Sequence, residues 1–361
     1  MIISGGGTGG HIFPAIAIAN ALKAATENIE FLFVGAMGRM EMEKVPAAGY
    51  QIEGLPISGF QRRLTMSNLI FPFKLVASLI KAKKIVKSWR PDVAVGTGGY
   101  ASGPLLNVAA GYGIPTLIQE QNSYPGITNK LLGRKVNKIC VAYEGMVKFF
   151  PKEKIILTGN PVRKDINNLE SKRAEAFNFF GLKEGVRTVL VIGGSLGART
   201  INLSIAKELK GLAGIPVQLI WQTGKVFFPQ AEETIRSSET KGMKAFDFIS
   251  RMDLAYAAAD IVVSRAGAIS LSELAVAGKA CILIPSPNVA EDHQTRNART
   301  LVDSNAAILV RDSEAFAELG TELKALVKDE ARQKQLQENI RKMARPDAAE
   351  KIAREILNLI C

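Results

Sequence analysis

The sequence predicts an α/β protein made of two parallel-sheet domains that face each other across a cleft. Three observations predict it. Short apolar runs alternate with helical stretches along the chain, which is the pattern of a parallel sheet covered by helices. The succession of strand, glycine-rich loop and helix occurs twice, once at the start and again from Thr188. The 361 residues suffice for two domains of ordinary size, each with a core of its own.

The first domain, residues 1–158, opens with a strand at Met1–Ser4, the loop Gly5–Gly10 and a helix from about Ile12, with Pro14 in its first turn, where proline is tolerated. Further strands are expected at Glu30–Val34, Val93–Val95, Pro115–Gln119, Ile139–Val141 and Ile155–Thr158. Gly159-Asn160-Pro161 then reads as a hinge. The second domain, residues 159–345, restarts with a strand at Thr188–Ile192, the loop Gly193-Gly194-Ser195-Leu196-Gly197-Ala198 and a helix to about Leu209. Strands at Gln218–Trp221, Ala245–Phe248, Ile261–Ser264, Ala280–Ile284 and Ala307–Leu309 complete its sheet, and helix is expected over roughly the last 40 residues. The halves share a plan and not a sequence.

A composition of 47% hydrophobic and 22% charged residues excludes a disordered, collagen-like or coiled-coil chain. Cys140, Cys281 and Cys361 are odd in number, far apart and without metal-type spacing, so a reducing compartment is expected. The strand-like start lacks the basic leader and apolar core of a secretory signal, which predicts a protein that stays in the cytosol. The uncharged run Val93–Gln119 holds six glycines and two prolines and reads as strands and loops, so no transmembrane segment is expected.

The net charge of +12 is uneven: residues 1–158 hold 18 Lys and Arg against 9 Asp and Glu, a net +9, and residues 159–361 hold 28 against 25, a net +3. Phe60–Arg90 carries Arg62, Arg63, Lys74, Lys81, Lys83, Lys84, Lys87 and Arg90 with no acid, interleaved with Leu69-Ile70-Phe71-Pro72-Phe73, Leu75-Val76 and Leu79-Ile80. Such a segment suits an anionic membrane surface. It equally suits a core helix with a solvated lysine face. Nucleic acid is not an expected partner, because no nucleic-acid motif accompanies the patch.

Strand, glycine loop and helix in succession put backbone N–H groups and the positive end of a helix at the carboxyl edge of a sheet, a seat for phosphate. Gly5-Gly6-Gly7-Thr8-Gly9-Gly10 matches the dinucleotide pattern GxGxxG, but the ribose-binding acid that should end the second strand is missing: Glu30 begins that strand and Gly35-Ala36-Met37 follows it. His11 stands where a phosphate-loop ATPase needs lysine, which excludes that chemistry. With no D-x-D pair to hold a metal, a bound diphosphate is expected to rest on backbone dipoles. His11 and His293 are the only two histidines, both expected in polar or glycine-rich loops. An imidazole directly after the glycine loop, with an ordinary pKa near 6.5, suits proton removal from an alcohol.

The residues Gly5-Gly6-Gly7-Thr8-Gly9-Gly10-His11, Gly98-Gly99-Tyr100-Ala101-Ser102-Gly103-Pro104, Glu120-Gln121-Asn122, Gly159-Asn160-Pro161-Val162-Arg163, Gly193 through Arg199, and Ser264-Arg265-Ala266-Gly267-Ala268 with Glu273 together resemble the MurG family, nearly end to end. That family transfers GlcNAc from UDP-GlcNAc to the lipid-linked muramoyl-pentapeptide, lipid I, giving lipid II in peptidoglycan synthesis. The resemblance implies Rossmann-like domains of the glycosyltransferase B type, an inverting displacement, no obligatory metal or cofactor, and peripheral attachment to the cytoplasmic face of the inner membrane. It also implies acceptor and membrane association for 1–158, UDP-GlcNAc binding for 159–345, and a last helix, 346–361, that packs back on the first domain.

By the same resemblance, Thr8, Gly9 and Gly10 lie at the sugar-diphosphate, Asn122 near the transferred sugar, and Arg163 and Ser195 near the diphosphate. Ile249 meets the uracil, Ala268, Ile269, Ser270, Leu271, Ser272 and Glu273 border the nucleotide, and Gln294 contacts GlcNAc hydroxyls. His293 departs from the pattern, because some members carry a glutamine there.

The residues carry part of this by themselves. Glu273, expected at a helix start, could accept both ribose hydroxyls or serve only as a first-turn acid. Arg163 suits a diphosphate through paired hydrogen bonds, or is a surface arginine at a hinge. Ser195, between glycines, could donate its hydroxyl and amide to a phosphate or simply close a turn. Gln294 lies in a polar cluster, Glu291-Asp292-His293-Gln294, of a kind surface loops also have. Tyr100 could line an acceptor pocket or pack beside its glycine loop. Two other classes remain: another B-type UDP-sugar enzyme, such as a UDP-GlcNAc 2-epimerase or a transferase with a different acceptor, and a noncatalytic membrane or nucleic-acid binder.

Overall fold

Parallel strand pairing organises both halves of the chain in this computed structural model, which describes residues 1–59, 66–194, 196–238 and 241–360, the side chains of 66–69, 213 and 290 excepted. The chain divides into two units, Met1–Val162 with Arg345–Cys361, and Arg163–Ala344.

The first unit runs β1 (Ile2–Gly5), α1 (Gly9–Ala25), β2 (Leu32–Ala36), α2 (Glu41–Ala47), β3 (Gln51–Leu55), α3 (Met66–Trp89), β4 (Ala94–Gly98), α4 (Ser102–Gly111), β5 (Thr116–Glu120), α5 (Ile127–Gly133), β6 (Lys138–Val141) and β7 (Ile155–Leu157). Its described residues form a seven-stranded sheet in the order β3-β2-β1-β4-β5-β6-β7, every pair parallel. β1, β2, β4 and β5 are buried along their whole length, as strands covered on both faces must be. Two expectations need correction. α1 starts at Gly9, so Pro14 lies beyond its first turn and the Gly10 carbonyl faces a ring without an N–H; His11 is likewise helical. β3, an edge strand, was not expected.

The second unit runs α6 (Arg173–Phe180), β8 (Arg187–Ile192), α7 (Arg199–Ala213), β9 (Val217–Gln222), α8 (Phe228–Ser237), β10 (Met243–Phe246), α9 (Met252–Ala258), β11 (Ile261–Ser264), α10 (Ala268–Ala277), β12 (Ala280–Leu283), α11 (His293–Val302), β13 (Ile308–Leu309), α12 (Ala315–Lys328) and α13 (Glu330–Lys342). Its sheet is ordered β10-β9-β8-β11-β12-β13, again parallel. His293 opens α11 and is not in a loop. Leu209, Leu212, Leu219, Trp221, Leu319 and Leu323 build the core between sheet and helices. The chain returns to the first unit as α14 (Ala348–Leu357), whose Ala349, Ile352, Ala353 and Ile356 join Ile12, Ile18 and Leu22 of α1 in one apolar cluster. Lys138 Nζ donates to Glu355 Oε2 at 2.6 Å and ties α14 to β6.

Each sheet reverses its build direction once, between β1 and β4 and between β8 and β11. At such a switch point the loops leaving the two strands splay apart and open a crevice at the carboxyl edge. Both glycine loops stand there.

α3 buries Ala82, Ile85 and Val86, while Ile70, Phe73, Val76 and Ile80 are exposed, Phe73 by 76%. Of Phe60–Arg90, residues 60–65 with Arg62 and Arg63 lie outside the described residues. Among the described residues no helix is long and apolar enough to cross a membrane.

Cys140 in β6 and Cys281 in β12 are fully buried, and burial pushes both thiols up to about 12. A thiol that stays protonated at neutral pH is a poor nucleophile. Native Cys361→Ser protein should therefore show no fast reaction with DTNB at pH 8 and two thiols after denaturation. A fast thiol in the native variant would show that one of these strands opens.

Candidate active site

In the first unit the crevice between β1 and β4 is floored by two interlocked loops. Thr8 caps α1 in extended conformation without a capping hydrogen bond from its side chain, and its carbonyl accepts from the His11 and Ile12 amides. His11 Nδ1 lies 3.0 Å from the Gly6 carbonyl and 3.4 Å from Thr8 Oγ1. Thr97 Oγ1 donates to the His11 carbonyl at 2.8 Å, fixing the backbone that carries the imidazole. The ring lies against Gly98, where a Cβ would come within 3.0 Å of Nε2. Ser102 Oγ, at the start of α4, reaches the carbonyls of both Ser4 (2.9 Å) and Gly98 (2.8 Å), so one hydroxyl ties the ends of β1 and β4 together.

The neighbouring strand β5 ends in a buried carboxylate. Glu120 Oε1 accepts from the Asn122 amide (3.0 Å) and Nδ2 (3.1 Å), and Oε2 from the Gly126 amide (3.2 Å) and Asn129 Nδ2 (2.8 Å). Burial pushes the Glu120 carboxyl up, against the pull of these four donors. Asn122 is thus oriented at the carboxyl edge beside the crevice. Tyr100 is 46% exposed and lies over Gly59, where a Cβ would come within about 2.5 Å of its hydroxyl.

In the second unit the loop after β8 is held by Gln222 at the end of β9. Its Nε2 donates to the Gly194 carbonyl at 3.1 Å and its Oε1 accepts the Ile249 N–H at 2.9 Å. α10 begins at the carboxyl edge of β11 with Gly267 as cap, pointing its first turn, Ala268 to Leu271, into the second crevice. Glu273 is buried one turn further on. Its Oε1 accepts Arg163 Nε at 2.9 Å and its Oε2 accepts the Tyr256 hydroxyl at 3.1 Å. Burial pushes the Glu273 carboxyl up, with Arg163 beside it pulling the other way, and burial raises Tyr256 well above its ordinary value, so that hydroxyl stays a donor.

The expected site residues therefore fall into two clusters. Thr8, Gly9, Gly10, His11, Tyr100 and Asn122 belong to the first unit's carboxyl edge, and Arg163, Ile249, Ala268 to Glu273 and Gln294 to the second unit. Ser195 lies outside the described residues. Arg163 and Glu273, expected on diphosphate and ribose, hold each other. Glu273 sits beyond the helix start because α10 begins at Ala268. Leu271 is a core side chain, 1% exposed, so only its backbone is available to border a ligand. Ile249 is buried with its N–H on Gln222, and Gln294 turns its Oε1 onto the Ser286 amide at 2.8 Å. The sequence reading missed Thr97, Gln222 and Tyr256, whose roles exist only through partners distant in sequence. It also missed Glu41, whose carboxylate accepts the Gly7 amide at 2.9 Å.

The amino-terminal domain of glycosyltransferase family 28 matches residues 1–141, and the carboxy-terminal domain of that family matches residues 188–352. A protein of Cytophaga hutchinsonii is 56% identical over 360 residues, covering 100% of this chain and 96% of its own, and one of Flavobacterium psychrophilum is 55% identical over 359 residues, covering 99% and 97%. Each bears the name UDP-N-acetylglucosamine--N-acetylmuramyl-(pentapeptide) pyrophosphoryl-undecaprenol N-acetylglucosamine transferase. The crystal structure of Acinetobacter baumannii MurG superposes with a TM-score of 0.81 at 28% identity, over 99% of both chains. The chain belongs to the MurG family.

Its two parallel-sheet α/β domains are those of the glycosyltransferase B type, the fold class that the sequence predicts. The UDP-GlcNAc 2-epimerase of Neisseria meningitidis, bound to UDP-GlcNAc, superposes with a TM-score of 0.67 over 99% of both chains at 13% identity, a likeness of fold alone. The epimerase alternative is therefore not favoured over membership of the MurG family.

In this MurG-family chain Gly7 and Gly99 both have left-handed backbone, φ +84 and +86, yet differ in surroundings. Nothing lies within 4 Å of a Cβ at Gly7, whereas one at Gly99 would collide with the Gly6 backbone. Gly7→Ala should lower stability by about 1 kcal/mol through backbone strain. Gly99→Ala should lower it by roughly 3 kcal/mol and displace His11. Chemical denaturation of the two variants side by side checks this, and equal losses would mean that the two loops do not interlock.

Proposed function

We propose that the chain is an inverting N-acetylglucosaminyltransferase that moves GlcNAc from UDP-GlcNAc to the C4 hydroxyl of lipid I, the undecaprenyl-diphosphate-linked MurNAc-pentapeptide, forming lipid II for peptidoglycan. The observation that carries this reading is identity above one half, over essentially the whole chain, with transferases of that name. In this reading the second unit holds UDP-GlcNAc through Arg163, Ser195, Ile249, Ala268 to Glu273 and Gln294, with Thr8, Gly9, Gly10 and Asn122 reaching the sugar-diphosphate, and the first unit receives the acceptor, Tyr100 among its lining.

The reaction is one displacement. The acceptor O4 forms a bond to the anomeric carbon as its proton passes to His11 Nε2, and the bond from that carbon to the UDP oxygen breaks with its electron pair leaving on UDP. The amide dipoles at the start of α10 and α7, with Arg163, stabilise the charge that develops on the diphosphate. Arg163 would leave Glu273 in part to do so, which frees a carboxylate oxygen for the ribose hydroxyls.

A positioned base contributes about 10²–10⁴-fold, so His11→Ala should lower kcat by that order and leave UDP-GlcNAc affinity unchanged. The assay is UDP release in EDTA, with and without a lipid I analogue, following the sugar into product. Transfer only with acceptor supports the reading; release without acceptor points to a hydrolase or epimerase.

The exposed face of α3 supports attachment to the cytoplasmic face of the inner membrane. Ile70, Phe73, Val76 and Ile80 continue into Lys83, Lys84 and Lys87 along one side of the helix, all exposed. Each lysine near an anionic surface is worth about 1 kcal/mol, so neutralisation of these three to Gln should weaken binding to anionic liposomes by roughly a hundredfold, and reversal to Glu by more. Wild-type binding should fall as salt shortens the Debye length. Binding that ignores both would remove α3 from the membrane contact.

A further inference from the structure

We propose that Glu41 is a positioning residue for His11, acting through the single peptide group between Gly6 and Gly7. The proposal rests on the reading of His11 as the base. Glu41 opens α2 and is fully buried. Its Oε2 accepts the Gly7 N–H at 2.9 Å and its Oε1 accepts the Ala36 N–H at 2.9 Å. The carbonyl of that same Gly6–Gly7 peptide faces His11 Nδ1 at 3.0 Å. Carboxylate, amide N–H, amide carbonyl and imidazole thus form one line of hydrogen bonds.

An amide that donates to a carboxylate gains negative charge on its own oxygen, because hydrogen bonds in a chain polarise one another by roughly 10–30% per bond. The Gly6 carbonyl is an acceptor only, so Nδ1 must be the donor. Thr8 Oγ1, 3.4 Å from Nδ1, can take either role and does not decide the tautomer. With the proton on Nδ1, Nε2 becomes the basic nitrogen, the one that lies against Gly98. Glu41 therefore serves His11 as the third group of a triad serves its histidine, with a peptide inserted between them.

The surroundings are shaped for this carboxylate. A Cβ on either Gly6 or Gly35 would collide with the Glu41 side chain. Two N–H donors, one on each oxygen, call for a carboxylate, because an amide offers one accepting oxygen and turns an NH₂ toward the second donor. Glu43, two residues on, is 78% exposed at its side chain and pairs with Lys44 at the surface, which sets Glu41 apart from an ordinary first-turn acid.

With only two histidines in the chain, ¹⁵N spectra of the imidazoles test this directly, His11→Ala supplying the assignment. The neutral His11 of the wild type should be in the Nδ1–H form. Glu41→Gln should lose that preference, with kcat lowered roughly 10–100-fold and the KM for UDP-GlcNAc within about twofold, a split that general loosening of the fold would not give. A wild-type ring in the Nε2–H form overturns the proposal whether or not the variant folds, as does a Glu41→Gln protein with wild-type tautomer and kcat. The tautomer is read without any turnover, so absence of transfer would refute the transferase reading while leaving the Glu41 relay to stand or fall by the spectra.

Discussion

The first unit's site depends on how closely the end of β1 meets the end of β4. Where the sheet reverses its build direction the two chains leave side by side, and here glycines let them approach closely: Gly5 against the Thr97 hydroxyl, Gly6 against Gly99, and the His11 ring against Gly98. Close approach lets two hydroxyls, Thr97 and Ser102, lock the backbone from inside the crevice. A base catalyst is useful only within hydrogen-bond reach of its proton, a tolerance of a few tenths of an ångström. Close backbone contact with a few short side-chain ties gives that precision with less ordering than a flexible side-chain network would need.

The second unit repeats the topology with a different clamp. There the neutral amide of Gln222 reaches the glycine-loop carbonyl and the Ile249 N–H, whereas in the first unit a buried carboxylate takes the loop's N–H. The difference fits a division of labour. In the proposed reaction an anion beneath the first loop supports the histidine that follows it, while the neutral clamp adds no negative charge beneath the second. The Arg163–Glu273 pair holds a guanidinium oriented on a buried acid, so that in the proposed function exchange of one partner for a phosphate would cost less than ordering a free side chain.

The glycine loops, most strands and the helical end were legible because each rests on local chemistry. Gly5–Gly10 and Gly193–Ala198 follow buried apolar strands, and few residues besides glycine suit such turns. β3 was illegible because Gln51-Ile-Glu-Gly-Leu55 is an edge strand with its first residues in solvent, so it carries no apolar run. α1 was expected too late because Gly9 and Gly10 are poor helix formers that the fold places in a helix regardless. The partners of the functional groups were invisible for another reason. Glu41 meets Gly7 across 34 residues and Arg163 meets Glu273 across 110, and one sequence holds no record of which distant polar groups will be buried together.

The basic segment serves the core on one side and leaves the other side free for the membrane contact proposed above. α3 gives Ala82, Ile85 and Val86 to the core and turns Ile70, Phe73, Val76, Ile80 and its lysines outward. Its buried side packs along α4, and α4 begins at Ser102, the residue whose hydroxyl ties β1 to β4 beneath His11. In the proposed function a surface that rests on lipid is in this way joined, through two packed helices, to the histidine that would act as base, and the connection would set the height of the imidazole above the bilayer to which a lipid tethers the acceptor hydroxyl.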